Sequence, residues 1–218
     1  MTNSQDVAAS TSTSIHAQQG EAQPALVLVN LGTPTAPEPG PVRAFLREFL
    51  SDRRVIEMSP LLWKPILEGI ILRVRPREVA AKYRSIWMEE GSPLMHYTRE
   101  QARRLGERLP GVRVEVAMRY GQPSIGSVLD CLHADGVRRV AILPAYPQYA
   151  ASTVTTINDA VAQWIGRNRD GFEMRLHRSF PAAPAYIEAL AIALERHWER
   201  VGRPNFLTGD RVVVSFHS

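Results

Sequence analysis

Histidine, tyrosine and arginine side chains placed at the ends of apolar runs are the residues of this sequence best suited to chemistry. Arg119 and Tyr120 follow the apolar run 112–118, and Tyr146, Pro147, Gln148 and Tyr149 follow the run 137–143, with Ser152 close behind. Leu31 closes the run that starts at Ala25, and His217 follows the run 211–216. An imidazole accepts a proton near neutral pH and binds divalent transition metals. A guanidinium holds carboxylates through a planar fork, and tyrosines offer both an aromatic face and a hydroxyl. Position alone leaves His217 open between a functional imidazole and an ordinary strand-end residue. Arg73, Arg75, Arg77 and Arg84 ordinarily read as a solvated helix face, and functionally as receptors for an acidic ligand.

Other chemistries lack their signatures. No G-x-G-x-x-G or G-x-x-x-x-G-K-[ST] follows the first apolar run, which argues against a dinucleotide or nucleoside-triphosphate enzyme. There is no G-x-S-x-G elbow and no C-x-x-C or H-E-x-x-H metal spacing. The single cysteine, Cys131, cannot form an internal disulfide, and beside Val128, Leu129 and Leu132 it reads as a buried small hydrophobe. His197, between Leu194 and Val201, reads as bordering a helix core. The net charge of +4 comes from 26 basic residues, all arginine except Lys64 and Lys82, interspersed with acids. Without a long basic run, the balance does not point to nucleic acid.

These side chains need elements to place them. The runs 25–32, 112–118, 137–143 and 211–216, with a weaker one at 172–176, are short and nearly continuous, as expected of strands buried on both faces. Helical periodicity fills the intervals at 41–50, 77–88, 98–109, 124–134, 153–164 and 183–201. Strands alternating with helices predict an α/β fold, a doubly wound parallel sheet with flanking helices. Ligands then bind outside the carboxyl ends of the strands, where the residues named above stand. Residues 1–24, polar and free of Lys and Arg, are expected to form a disordered tail without a targeting signal. The segment 59–72 packs eight large apolar residues into fourteen positions, and periodicity alone favours a core helix over an exposed lip.

Six stretches, in order, resemble the ferrochelatase family. They are Leu28-Val29-Asn30-Leu31-Gly32-Thr33-Pro34, residues 45–52, Tyr83-Arg84-Ser85-Ile86 with Glu90-Gly91-Ser92-Pro93-Leu94, Ala117-Met118-Arg119-Tyr120-Gly121, residues 143–153 and Val214-Ser215-Phe216-His217-Ser218. The resemblance implies insertion of Fe²⁺ into protoporphyrin IX to form protoheme, on a Rossmann-like chelatase fold of two similar halves. It makes His217 the catalytic residue and metal ligand. Leu31, Arg75, Ser92, Arg119, Tyr120, Tyr146, Pro147, Tyr149 and Ser152 become porphyrin-contacting positions. Iron is then a substrate rather than a resident cofactor. No iron–sulfur cluster is expected, because Ala150 and Ala151 stand where some members carry a cluster ligand.

The resemblance also reverses the reading of 59–72, which becomes a hydrophobic lip able to touch a membrane from a cytoplasmic location. It divides the chain into the tail, one Rossmann-like domain over 25–205 including the connecting helix 183–201, and the first strand of a second domain over 206–218. An acidic partner for His217 would lie in that second domain, so a truncated and inactive fragment, or a weak porphyrin-binding remnant, is the alternative expectation. A chelatase for another tetrapyrrole, such as a cobalt chelatase, is the enzymatic alternative.

Overall fold

The computed structural model describes residues 23–215. His217 and most of the expected tail lie outside the described residues. Four strands form one parallel sheet: β1 (Ala25–Gly32), β2 (Arg113–Tyr120), β3 (Arg139–Pro144) and β4 (Glu173–Leu176), in the order β2-β1-β3-β4. The register sets Gly32 opposite Tyr120 and Leu28 opposite Leu143. Successive connections leave β1 toward β2 and then return past it to β3, so the sheet is doubly wound, with its switch point between β1 and β3.

The helices are α1 (Pro39–Leu50), α2 (Pro60–Ile66), α3 (Leu72–Ile86), α4 (Pro93–Arg108), α5 (Ile125–Ala134), α6 (Thr156–Arg167) and α7 (Pro184–Val201). Proline in the first turn opens α1, α2, α4 and α7, where its missing N–H leaves no intrahelical bond unmade. Ser124 caps α5, its hydroxyl accepting from the Ser127 amide at 3.1 Å. A π-helical turn, Leu67–Ile71, links α2 to α3, and another, Ala151–Thr155, precedes α6.

The largest apolar cluster lies between one face of the sheet and helices α5 and α6. Val27, Val29, Val140 and Ile142 meet Ile125, Leu129, Leu132, Ile157, Val161 and Trp164 there. The Trp164 indole, fully enclosed, donates to Asp130 at 2.7 Å, so its polar atom is satisfied at the edge of the apolar layer. A second buried set, Val42, Phe45, Leu67, Leu72 and Ala80, lies on α1, α3 and the π-helical turn before α3.

Two expectations are corrected. Cys131 is exposed, because residues 125, 129 and 132 define the inward face of α5 and position 131 points away from it. His197 borders no core, since α7 buries none of its residues. Residues 211–215 pair with no neighbour among the described residues and expose Val213 and Val214, and the strand expected there runs on to residue 216, outside the described residues. A ladder needs a partner strand, and apolar composition alone does not supply one.

Candidate functional site at the strand ends

Gly32 fixes the end of β1. Its φ of +118° suits glycine, and a Cβ there would stand 1.8 Å from the Tyr120 carbonyl oxygen. Only a residue without a side chain lets the ends of β1 and β2 approach this closely. The residues around it tie the loop down. The Asn30 amide donates to the Thr98 hydroxyl on α4 at 2.9 Å, and the Thr33 hydroxyl donates to that of Ser92 at 2.8 Å. Ser92 is buried and engaged in this bond, so it orders the loop rather than presenting a free hydroxyl. Leu31 is half-buried beside it.

At the end of β2, Arg119 and Tyr120 converge on one carboxylate. The Arg119 guanidinium donates to Asp52 at 2.5 Å and the Tyr120 hydroxyl donates to the same oxygen at 2.9 Å. The guanidinium also lies 4.4 Å from the centre of the Tyr120 ring. Tyr120 is fully buried, its ring edge-to-face with Phe49. Burial pushes its phenol well above the usual tyrosine range, against the pull of Arg119 and with a further upward push from Asp52. Tyr120 is therefore part of the site's framework and not of an open wall.

The end of β3 does face a cleft. A cavity of about 900 Å³ is lined by Tyr146, Pro147, Tyr149, Thr153, Ile187 and Leu190, among others. It brings together the residues after β3 and the first turns of α7. The Tyr149 hydroxyl shares a hydrogen bond with Thr155 at 2.7 Å, and Arg178 stacks 4.5 Å from the Tyr149 ring. The Tyr146 hydroxyl is buried and has no hydrogen-bond partner among the described residues, and burial raises its pKa well above the usual value. Ser152 is half-buried in the π-helical turn after this segment.

The remaining candidates stand apart. Arg75 is exposed on α3 and does not line the cleft. His217 lies outside the described residues. The 59–72 segment is an exposed lip: α2 buries none of its residues, Leu61 is 86% exposed and Leu62 66%, and only Leu67 and Leu72 enter the core. The exposed reading of this segment holds, against the preference from periodicity.

Asp52 is one residue that sequence reasoning missed. It stands in Ser51-Asp52-Arg53-Arg54, directly after α1, where a charged cluster ordinarily means a solvated turn. Its signal was indirect: a carboxylate beside two arginines, 67 positions from the arginine it binds. Asp159 was missed likewise. It takes a bidentate pair from Arg54, which holds its carboxyl below the usual range.

A sequence model described as Ferrochelatase matches residues 23–218. Curated relatives named ferrochelatase agree with it. That of Methylibium petroleiphilum is 48% identical over 206 residues, covering 93% of this chain and 55% of the relative. That of Stenotrophomonas maltophilia is 46% identical over 193 residues, with 88% and 58% covered, and that of Yersinia pestis 45% over 197, with 90% and 60%. The chain thus spans a little over half the length of the curated relatives it matches. With a parallel doubly wound sheet and a cleft at its carboxyl edge, this chain belongs to the ferrochelatase family.

Proposed function

We propose that the protein inserts Fe²⁺ into protoporphyrin IX to give protoheme, and that the described residues supply one side of the porphyrin cleft. The observation that carries this reading is the large cavity at the carboxyl end of β3, walled by Tyr146, Pro147 and Tyr149, in a chain of this family. Its size lies in the range of pockets that enclose small organic ligands.

Protoporphyrin is a flat apolar ring with two carboxylate arms, and two of its four inward nitrogens carry protons. Insertion exchanges those two protons for one Fe²⁺. The protein must hold the ring, exclude water from it, accept the protons and admit the metal. Tyr146, Pro147 and Leu190 offer apolar contact, and Arg178, stacked on the lining residue Tyr149, is the cation proposed to meet a carboxylate arm. The Tyr146 phenol stays neutral at working pH, so it is a hydrogen-bond donor and not a base. His217 is the proposed proton acceptor and metal ligand.

Iron is read as substrate. The one cysteine, Cys131, stands on the outer face of α5 and not at the cleft. No helix among the described residues is long and apolar enough to cross a membrane. We place the protein in the cytoplasm, touching a membrane surface peripherally through the exposed leucines of α2.

Protoporphyrin IX titrated into the chain should quench tryptophan fluorescence with saturation. In the complete gene product, His217→Ala should abolish anaerobic Fe²⁺ insertion and leave porphyrin affinity within about twofold. Insertion of cobalt alone, into an early tetrapyrrole, would overturn the assignment; unchanged turnover would remove His217 from the chemistry.

A further inference from the structure

The turn between α1 and the lip is fastened to two distant elements. Asp52 is the centre of the first fastening. Its main-chain oxygen accepts from the amides of Val55 and Ile56 at 3.1 and 2.9 Å, and one side-chain oxygen accepts from the Arg54 amide at 2.8 Å. The other oxygen takes both Arg119 and Tyr120 from the end of β2. The second fastening is Arg54 on Asp159, in the first turn of α6. The Asp52 and Arg119 side chains are only 10% and 18% exposed, so solvent screens their attraction weakly; Arg54 and Asp159 are near half exposed.

The lip is anchored at its far end, where Leu67 and Leu72 are buried. Trp63 donates to the Leu50 carbonyl at 2.7 Å and Arg47 pairs with Glu68, but both bonds tie the lip to α1 and not to the sheet. Phe49 against Tyr120 and Glu48 on the Gly121 amide hold α1 near β2. Among the described residues, the Asp52 clasp fixes the turn feeding the lip against the end of β2 by directed, charged bonds, beside the Arg54–Asp159 pair that holds the turn to α6.

We propose that Asp52 is a positioning residue for the porphyrin cleft. Its carboxylate clasps the lip-bearing turn to the end of β2 and engages Arg119 internally, so that Arg119 sets the lip's position instead of receiving a substrate carboxylate. The proposal rests on the porphyrin reading of the cleft, whose lining residues Tyr146 and Tyr149 interact electrostatically with Tyr120 and Arg54. Asp52→Asn keeps the shape and an acceptor for Tyr120, but removes the charge that Arg119 binds.

Amide hydrogen exchange and protoporphyrin titration on the chain test it together. In Asp52→Asn, exchange over 57–71 should quicken and protoporphyrin affinity should fall, each about tenfold, while amides of β1 and α5 keep their rates. Arg54→Asp and Asp159→Arg should each quicken the same lip amides, and the double variant should restore them. Unchanged lip exchange, a uniform rise that includes β1 and α5, or no rescue in the double variant would overturn the clasp. Unaltered porphyrin affinity with a loosened lip would overturn its role at the cleft. If the unmodified chain binds no porphyrin, the functional reading fails, and lip exchange alone then judges the clasp.

Discussion

Two tyrosines at the strand ends carry opposite hydrogen-bond economies. The Tyr120 hydroxyl serves Asp52; that of Tyr146 serves nothing among the described residues. Burial raises both phenols, so the folded protein keeps them neutral where an unfolded chain ionises them, near pH 10. Above that pH the folded state binds more protons than the unfolded one. The stabilisation is therefore complete below about pH 10 and is lost as pH rises further. Alkaline titration should show the near-UV circular dichroism collapsing above about pH 10, with phenolate absorbance at 295 nm rising in step. Tyr146→Phe removes one such phenol and an unsatisfied buried hydroxyl. It should leave neutral-pH stability unchanged or raised by about 1 kcal/mol and move the alkaline midpoint upward. Tyr120→Phe should instead cost about 1.5–3 kcal/mol, the range for a hydrogen bond to a charged group. Equal losses from both substitutions in urea unfolding would contradict this division.

The lip poses the corresponding question for an element. Helix α2 turns Leu61 and Leu62 outward, while Leu67 is buried in the π-helical turn behind it. An exposed apolar pair on a short helix stabilises nothing internally, yet each leucine gains about 1.5–3 kcal/mol on leaving water. Leu61→Asp with Leu62→Asp should change folding stability by less than about 0.5 kcal/mol. The same pair should lower co-sedimentation with phosphatidylglycerol-containing vesicles at least about tenfold. Leu67→Ala should do the reverse, costing about 2–5 kcal/mol of stability. Vesicle binding indifferent to Leu61 and Leu62 would refute a membrane role for the lip. The sequence announced this helix but not its orientation, for a plain reason. Periodicity reports which residues share a face, and the face here is apolar whether a core or a lipid surface receives it. Strands β1 and β3 were legible as short apolar runs closed by glycine or proline, and β2 as valines alternating with charged residues ahead of Ala117 and Met118. Cys131 was misplaced because the neighbouring Val128, Leu129 and Leu132 masked the 3.6-residue phase. Asp52 was invisible because its partners are set by the β2-β1-β3 order, which no local window contains.

At the scale of the whole molecule, the fold class and the strand-end location of the cleft follow from alternation alone, and what covers the outer surfaces does not. Helix α7 shows the difference. Ile187, Leu190, Leu194 and Val201 are all more than a third exposed and fall on one side of a helix that buries no residue. Ile187 and Leu190 face the cleft; Leu194 and Val201 are outside its lining. Contiguous exposed apolar surface of this kind drives association in water unless something covers it. The isolated chain should therefore bind an apolar fluorescent dye in its native state and show a sedimentation coefficient that rises with concentration. Leu194→Glu with Val201→Glu should suppress both effects, because each places a charge that resists burial on the shared face. Neither side chain supports the core, so the urea midpoint should move by less than about 0.5 kcal/mol in free-energy terms. Two results would refute the stripe as the adhesive surface. One is a native chain that stays monomeric and dye-free at high concentration; the other is association that survives both charges. In the latter case the apolar lip of α2 is the alternative surface, and the Leu61→Asp, Leu62→Asp variant separates the two. If the α7 charges instead abolish association while protoporphyrin still quenches normally, the helix divides by turn: its first turns serve the cleft, and its later ones present a surface for another body of protein.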